Sequence, residues 1–388
     1  MEDQPLYRQI LNFLMEGISS GRFEAGARLP SEKELCEQFK VSRITSKRAL
    51  DLLADQGYIL RRPGKGSFVI GIQNSQAGAP GASQTIGFII PDFSDAFGTR
   101  LISSIEENCT ALGYQLVLRQ TRDHVEEEEK AIHSLSGAAG ILLLPSHGEL
   151  YNSEILKLIY NKRPVVFVDR KMRGLAAPTV STNNLEAAEA GTRYLLSLGH
   201  RHIAFFSGPV NYTSTVEDRY HGLIQGFAKF GISHNPAYFC QSLSSAWTLP
   251  QSALMAKADM VIVAKHLKAH PEISAAFTSE YSFAVIVKTA AESLGRHVPR
   301  DFSILTFDAP PTFAPLPPIT HFRQDEYVIG KRAVETLHGI IAGSSSPAAG
   351  DILIPAELVQ GASTAPRDLR TKELHTKELR TKAQRTKK

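Results

Sequence analysis

The sequence has 388 residues, of which 43% are hydrophobic and 21% are charged. A chain of this length exceeds one ordinary domain, and its composition is typical of a soluble globular protein with two or three domains. The formal net charge is only +4, so total charge does not indicate nucleic-acid binding. Any such function has to be argued from where the basic residues lie.

The sequence indicates a cytoplasmic protein. Its three cysteines are widely spaced: Cys36, Cys109 and Cys240. That spacing fits neither a disulfide framework nor a zinc site, and we expect buried thiols in a reducing compartment. The acidic start at residues 1–5 does not resemble a secretory signal, and the apolar stretches at residues 140–145 and 164–168 are too short to span a bilayer.

Four zones follow one another along the chain. Residues 1–70 combine helical periodicity with a short β signal, and residues 71–84 have the uncharged composition of a linker. Residues 85–364 alternate apolar strands with amphipathic helices, which predicts a parallel sheet with helices on both faces. Residues 365–388 repeat a basic motif that cannot form a core, and we expect a disordered or loosely helical tail.

The first zone predicts three helices. One apolar face repeats every three or four residues over residues 5–20: Leu6, Ile10, Phe13, Leu14 and Ile18. Ser31 and Glu34 form a capping box, which predicts a second helix over residues 32–39. After a turn at Lys40, Ser42 caps a third helix that ends near Gly57. The third helix has four apolar residues available to pack inward: Ile44, Ala49, Leu50 and Leu53.

The third helix carries the charge pattern of a DNA-reading helix. Residues 40–50 contain no acid and four bases: Lys40, Arg43, Lys47 and Arg48. Two short helices joined by a tight turn fit a helix-turn-helix, in which the second helix enters the major groove. Arg43 is the best candidate for a guanine contact, because its planar fork can donate to O6 and N7 together.

A basic hairpin follows these helices. Residues 58–69 predict two short strands around a tip that contains Pro63, Gly64 and Gly66. Arg61, Arg62 and Lys65 are three bases with no acid nearby. This hairpin is therefore predicted to be a wing that reaches the DNA backbone or the minor groove.

This block resembles the winged-helix domain of the GntR family of bacterial regulators. The matching positions span nearly all of residues 5–70: Gly21, Gly26, Arg28 to Glu32, Val41 to Arg43, Thr45, Ala49, Leu50, Gly57 and Gly64 to Gly66. Lys40 departs from the pattern, because the family usually has glycine in that turn. The resemblance implies DNA contacts from the helices and the wing: Arg28, Lys33, Ser42, Arg43, Thr45, Lys47, Gly64, Lys65 and Gly66.

In the third zone, polar and aromatic residues cluster just after predicted strands. Phe97, Asp123, Asp169 and Asp308 each follow an apolar stretch. The carboxyl ends of parallel strands meet at one edge of a sheet, which is where open α/β folds bind ligands. In order and spacing, the zone resembles the effector domain shared by the LacI family and periplasmic sugar-binding proteins, a two-lobed parallel α/β fold of the type I periplasmic-binding-protein class.

That resemblance implies a cleft lined by nine residues: Phe97, Asp123, Asp169, Asn183, Arg219, Trp247, Ser279, Asp308 and Gln324. Carboxylates and guanidinium groups suit the hydroxyls of a sugar, and Trp247 or Phe97 could cover its apolar face. Two positions depart from the family pattern. Asn183 stands where aspartate is usual, and Ser279-Glu280 stands where Asn-Asp is usual.

Together the two resemblances imply an architecture like that of arabinose repressors. We expect a homodimer that binds a palindromic operator and is released by a small sugar, without a cofactor or a metal ion. A ligand-dependent activator shares these features and remains an alternative. A sugar-binding protein without a regulatory role would need a secretory signal if it served transport. An enzyme would need a nucleophile elbow or a phosphate loop, and we expect neither. His147 and His200 lack metal-ligand spacing.

Overall fold

The chain folds as two units, Met1–Ala82 and Ser83–Lys388. The computed structural model describes twelve segments of them: residues 6–19, 22–23, 26–55, 59–62, 66–69, 84–146, 152–172, 174–210, 213–244, 252–311, 318–344 and 350–367. The predicted linker at residues 71–84 lies outside these segments except for Gln84, and so do Trp247, His147 and residues 368–388 of the predicted tail.

The first unit contains three helices and a hairpin. The helices are α1 (Leu6–Ser19), α2 (Glu32–Phe39) and α3 (Arg43–Asp55). The hairpin pairs β1 (Ile59–Arg62) with β2 (Gly66–Val69) in antiparallel register. Its core joins apolar residues from every element: Ile10, Leu14, Leu29, Leu35, Ala49, Leu50, Leu53, Ile59 and Val69. The predicted helices and hairpin are confirmed.

Local chemistry explains where α2 begins and ends. The Ser31 side chain accepts a hydrogen bond from the Glu34 N–H, and the Glu34 carboxylate accepts one from the Ser31 N–H at 2.6 Å. This capping box is the one predicted from the sequence. Lys40 closes the helix in the left-handed conformation, with φ of 53°. The turn therefore keeps the backbone conformation for which glycine is favoured, at some cost in strain for lysine.

One apolar residue of α3 does not face the core. Ala49, Leu50 and Leu53 are buried as expected, but the Ile44 side chain is 80% exposed. The prediction that Ile44 packs inward is wrong. Its position on the first turn of α3 places it beside Arg43 and Thr45, on the side of the helix that the core does not cover.

The second unit has two lobes, each with a six-stranded sheet between helices. In lobe 1 the strands lie in the order β13-β7-β6-β5-β3-β4. They are β3 (Thr85–Ile90), β4 (Gln115–Gln120), β5 (Gly140–Leu143), β6 (Val165–Val168), β7 (Thr179–Thr182) and β13 (Ile352–Ile354). Helices α4 (Thr99–Ala111) and α11 (Glu326–Ile341) pack on one face, and α5 (Val125–Ser134) and α6 (Ser153–Tyr160) on the other.

Lobe 2 repeats this plan with the strand order β14-β12-β11-β10-β8-β9. Its strands are β8 (Ile203–Phe206), β9 (Phe239–Cys240), β10 (Ala275–Thr278), β11 (Ser303–Phe307), β12 (Thr320–Arg323) and β14 (Glu357–Val359). Helices α7 (Asn184–Ser197) and α8 (Ser214–Lys229) cover one face, and α9 (Ser252–Ala269) and α10 (Tyr281–Ser293) the other. Edge strand β14 runs antiparallel to β12, so the expectation of a parallel sheet holds for the other strands only.

Among the described elements, the chain crosses between the lobes three times: after β7, after β12 and between β13 and β14. Beyond β14 it stays bound to lobe 2. The His200 imidazole contacts the Ala365 carbonyl at 3.2 Å, and the Arg367 N–H donates to the Leu198 carbonyl at 2.8 Å. The predicted tail boundary at residue 365 therefore falls too early, because Ala365 to Arg367 belong to the fold.

Candidate functional site

The first unit presents exposed basic side chains at the start of α3. Arg43 and Lys47 are exposed, and no hydrogen bond or ion pair within the described part of the chain involves their side chains. Their donors are therefore open to a phosphate or a base edge. The Ser42 and Thr45 hydroxyls contact each other at 2.8 Å, and Ser42 Oγ accepts from the Thr45 N–H at 3.3 Å. These two residues fix the first turn of the helix that carries Arg43.

Arg28 lies beside the hairpin rather than on α3. It pairs with Phe68 in an isolated β-bridge, and a Cβ added at Gly66 would come 2.8 Å from Arg28 Nε. Gly66 also has φ of 109°, so both its conformation and the lack of a side chain are needed there. Lys33 is exposed, with its ammonium 4.0 Å from the Glu37 carboxylate.

The hairpin base Arg61 is engaged inside the unit. Its guanidinium forms short ion pairs with Asp51 on α3 and Glu32 on α2. The sequence predicts that Arg61 contacts a DNA phosphate, whereas in the structure its guanidinium pairs with two acids and ties β1 to both helices. The other wing residues that were predicted to contact DNA, namely the Arg62 side chain, Gly64 and Lys65, lie outside the described residues.

The second unit contains a polar cavity of about 480 Å³ at the carboxyl ends of its parallel strands. This volume lies in the usual range for small-molecule sites. Both lobes line it. The lining includes seven of the nine predicted residues: Phe97, Asp123, Asp169, Arg219, Ser279, Asp308 and Gln324.

Three aspartates of the cavity share an unusual backbone conformation. Asp123 and Asp169 have φ of 63°, and Asp308 has φ of 68°. Asp169 directly follows β6, Asp308 directly follows β11, and Asp123 lies three residues beyond β4. Aspartate tolerates the left-handed region better than most residues, and such strained positions concentrate at functional sites. The strand ends thus turn these carboxylates toward one space.

Arg219 is held by several contacts within lobe 2. Its Nε donates to Asn184 Oδ1 at 2.7 Å, and its Nη1 donates to the main-chain carbonyl of Ser279. Its Cζ lies 4.0 Å from the centroid of the Phe307 ring. A guanidinium has five N–H donors, so Arg219 keeps donors for a ligand while its orientation is fixed.

A chain of hydrogen bonds connects lobe 1 to the cavity wall of lobe 2. The Thr182 hydroxyl at the end of β7 donates to Gln324 Oε1, and Gln324 Nε2 donates to Asp308 Oδ1 at 2.6 Å. A second bond between the lobes runs from the Lys171 N–H to Ser214 Oγ, at 2.9 Å. The position of Asp308 is therefore coupled to the relative placement of the lobes.

Burial shifts the protonation of the cavity acids. Burial raises the pKa of Glu280 to about 7, and the negative charge of Asp308 adds to this rise. Burial also raises the pKa of Asp308, although the positive charge of Arg219 opposes the shift. Carboxylates that are brought together in a partly buried space disfavour each other's ionised form.

Asn183 does not occupy the predicted place in the cavity wall. Its side chain caps α7 by accepting from the Glu186 N–H at 3.3 Å, while its neighbour Asn184 turns inward and contacts Arg219. Eleven further lining residues were not predicted, and they adjoin predicted residues, follow β8 or β9, or lie at the start of a helix: Arg170, Gly208, Pro209, Thr213, Thr215, Val216, Ser242, Leu243, Ser244, Glu280 and Phe283. Arg170 and Glu280 could have been found from their adjacency to Asp169 and Ser279.

The described residues contain no cluster of three or more metal-ligating side chains. No helix in the described segments is long and apolar enough to cross a membrane. The sequence does contain one pattern that was not expected, Gly-x-Ser-x-Gly at residues 17–21. It begins inside α1 rather than after a strand, so it lacks the strand-to-helix turn of a nucleophile elbow.

Comparison with known families separates the same two regions. Residues 6–69 match the family described as bacterial regulatory proteins, gntR family. Residues 192–364 match the periplasmic binding protein-like domain. The first match covers α1 to β2, and the second runs from α7 to just beyond β14.

Individual relatives extend the similarity over nearly the whole chain. The arabinose metabolism transcriptional repressor of Geobacillus stearothermophilus is 24% identical over 368 residues, which cover 93% of this chain and 98% of the relative. The ribose operon repressor of Halalkalibacterium halodurans is 29% identical over 251 residues, or 64% of this chain and 70% of the relative. A LacI family transcriptional regulator from Enterococcus faecium, crystallised with bound ribose, has the same fold, with a TM-score of 0.59 at 21% identity over 73% of this chain and 100% of that one.

A helix-turn-helix unit with an open basic helix and a two-lobed unit with a polar cavity define a transcriptional regulator. This chain combines a GntR-type DNA-binding domain with a periplasmic-binding-protein-like domain, and its relatives are repressors of sugar metabolism.

Proposed function

We propose that this regulator is a repressor that binds a palindromic operator as a homodimer and leaves it when a small sugar fills the cavity. The observation that carries the proposal is the cavity itself. Carboxylates, a guanidinium and an amide from both lobes face one space of about 480 Å³. Such groups form paired hydrogen bonds with the hydroxyls of a sugar. The relatives named for arabinose and ribose metabolism support the same ligand class.

On the DNA side, we propose that α3 enters the major groove. Arg43 would donate to a guanine, while Lys47, Lys33 and Arg28 would contact phosphates. Ser42 and Thr45 would position the first turn of the helix. The wing residues Arg62, Gly64, Lys65 and Gly66 would follow the DNA backbone.

On the ligand side, we propose that Arg219 and Asp308 hold adjacent hydroxyls, with Phe97 or Trp247 against the apolar face of the sugar. Gln324 would connect ligand contact to lobe closure, because it bonds both Thr182 and Asp308. Closure would alter the spacing of the two DNA-binding domains in the dimer. Coupling between ligand and operator of this kind usually corresponds to about a 5- to 150-fold change in affinity.

The test begins with selection of an operator from random double-stranded DNA by the full-length protein. Operator affinity is then measured with and without each of a panel of pentoses and hexoses. The proposal expects one sugar to weaken operator binding about 5- to 150-fold. A sugar that strengthens binding would identify an activator instead. If a sugar binds the protein and operator affinity stays constant, the proposed coupling is wrong.

A further inference from the structure

The cavity wall carries an excess of negative charge. Four carboxylic acids line it: Asp123, Asp169, Glu280 and Asp308. Only two bases stand against them among the described lining residues, Arg170 and Arg219. The acids come from both lobes, so the excess surrounds the space rather than marking one edge of it.

Both bases already donate hydrogen bonds to acceptors of the protein. Arg219 donates to Asn184 and to the Ser279 carbonyl, as described above. Arg170 Nη1 donates to the Pro145 carbonyl at 3.1 Å, while its buried Nε lies 3.7 Å from Asp169 Oδ2, beyond hydrogen-bond distance. Both guanidinium groups are thus drawn into the wall among the carboxylates, and they do not form a separate anion-binding corner.

One carboxylate oxygen lacks a donor. Asp169 is only 6% exposed, and its Oδ1 has no hydrogen-bond partner among the described residues. An unpaired buried acceptor is costly, and most such groups in native proteins find a partner in protein, water or ligand. A group that donates a hydrogen bond therefore suits this part of the wall better than a further acceptor does.

We propose that the cavity selects a sugar without negative charge, either free or amine-bearing, and rejects sugar phosphates and sugar acids. This inference rests on the proposed function, in which a sugar occupies the cavity. Hydroxyl and ammonium groups supply donors to the carboxylates that line the cavity. A phosphate or carboxylate supplies further acceptors and adds a like charge beside Glu280 and Asp308, whose ionised forms already disfavour each other.

The experiment uses matched ligands and the full-length protein in calorimetric titration. Each set contains a free aldose, its 2-amino derivative where one exists, its phosphates at two different positions and its carboxylic acid. The free or amine-bearing member of one set is expected to bind, and its phosphates and acid to bind about 100-fold more weakly or worse, because like charges at a recognition site oppose binding strongly.

Isosteric variants then test whether the charge of the wall causes the discrimination between free sugars and their phosphates. Glu280→Gln in lobe 2 and Asp123→Asn in lobe 1 each remove one acid with little change in shape. The titrations are run at pH 8, above the raised pKa of about 7 of Glu280, so that this acid is ionised in the wild type. Each is expected to reduce the ratio of phosphate to free-sugar dissociation constants by about tenfold. Glu292→Gln is the matched control, because Glu292 lies exposed on α10, is not a lining residue and carries the same charge. The control is expected to keep the wild-type ratio.

Two results would overturn the inference. A phosphate or acid that binds as tightly as its free sugar would show that the wall tolerates an anion, while leaving a sugar-responsive regulator intact. Discrimination that persists unchanged in both isosteric variants would show that shape rather than charge excludes the anions. If no member of any set binds, the proposed sugar effector is wrong and the inference falls with it.

Discussion

Arg43 on α3 and Arg219 on α8 carry the same guanidinium group in opposite surroundings. Arg43 is exposed, and no contact within the described residues holds its side chain. Arg219 is 6% exposed and is fixed by Asn184, the Ser279 carbonyl and the Phe307 ring. The exposed arginine, which we propose contacts DNA, keeps its donors for a partner, whereas the cavity arginine also holds its own wall together. Substitutions in the two regions should therefore differ in what they damage.

Replacement of Arg219 should have the largest effect. Arg219→Ala removes the hydrogen bonds to Asn184 and to the Ser279 carbonyl, and each hydrogen bond of a charged group contributes about 1.5–3 kcal/mol. We expect a fall of about this size in the free energy of urea unfolding and loss of the sugar response. Arg219→Lys keeps the positive charge but loses the planar fork of donors. Its free energy of unfolding should therefore lie between those of the wild type and Arg219→Ala.

Arg193→Ala is the control for this change. Arg193 lies exposed on neighbouring helix α7, with its guanidinium 3.8 Å from Glu189, and surface pairs of this kind contribute about 0–1 kcal/mol. If Arg219→Ala unfolds at the same urea concentration as Arg193→Ala, Arg219 has no role in holding the wall.

Replacement of Arg43 should damage binding alone. Arg43→Ala removes a bidentate base contact and should weaken operator binding by about 1–3 kcal/mol. Because the side chain packs against nothing, the melting temperature should stay at the wild-type value. Fluorescence anisotropy and thermal melting together measure both effects. Arg332→Ala, an exposed position on α11, provides the control for general loss of positive charge.

The features that could be predicted from the sequence are those that depend on neighbouring residues. The Ser31–Glu34 box and the apolar stretches at residues 140–145 and 164–168 are encoded by local chemistry, and the structure has the box and the strands Gly140–Leu143 and Val165–Val168 there. Seven cavity residues could be predicted as well, and two of them, Asp169 and Asp308, directly follow strands. These features depend on short stretches of neighbouring residues.

The predictions fail where tertiary contacts determine the position of a side chain. Ile44 fits the apolar spacing of α3, but no core element covers that side of the helix start. Asn183 and Asn184 are adjacent amides at a helix start, where one residue caps and the next turns inward, and composition does not distinguish them. Arg61 finds Asp51 and Glu32 on two other elements, which the hairpin pattern does not reveal.

Glu280 should give the cavity a pH-dependent stability. Burial raises its pKa from 4.5 to about 7. An acid with a raised folded pKa contributes stability below its unfolded pKa and loses it as pH rises through the folded value. Relative to the wild type, Glu280→Gln should therefore become more stable between about pH 4.5 and 7, by on the order of 2 kcal/mol.

The difference between the two proteins is the quantity to measure. His200 titrates in both, because burial lowers its pKa to about 4, and it opposes Glu280 over the same range. Chemical denaturation at five pH values gives the difference curve. Glu292→Gln should give a flat difference curve across this range, and a flat curve for Glu280→Gln would show that the buried acid is not destabilised.

The smallest expected effect distinguishes two bases within the DNA-binding unit. Each phosphate contact adds about one unit to the slope of log affinity against log salt. Lys47 is exposed and unpaired within the described residues, so Lys47→Ala should flatten that slope by about one. Arg61 is neutralised by Asp51 and Glu32, so its removal should leave the number of phosphate contacts unchanged.

Removal of Arg61 alone would leave Asp51 and Glu32 without their partner. Their repulsion of DNA phosphates would then also change operator affinity. The double variant Arg61→Ala with Asp51→Asn removes one charge of each sign and keeps the net charge constant. We expect the wild-type slope for this variant, together with a loss of stability of up to about 1 kcal/mol, because the ion pairs are partly exposed. Operator titrations at four salt concentrations provide the slope. A slope flattened by one unit would mean that Arg61 leaves its internal partners and binds a phosphate, and the hairpin base would then act as Lys47 does.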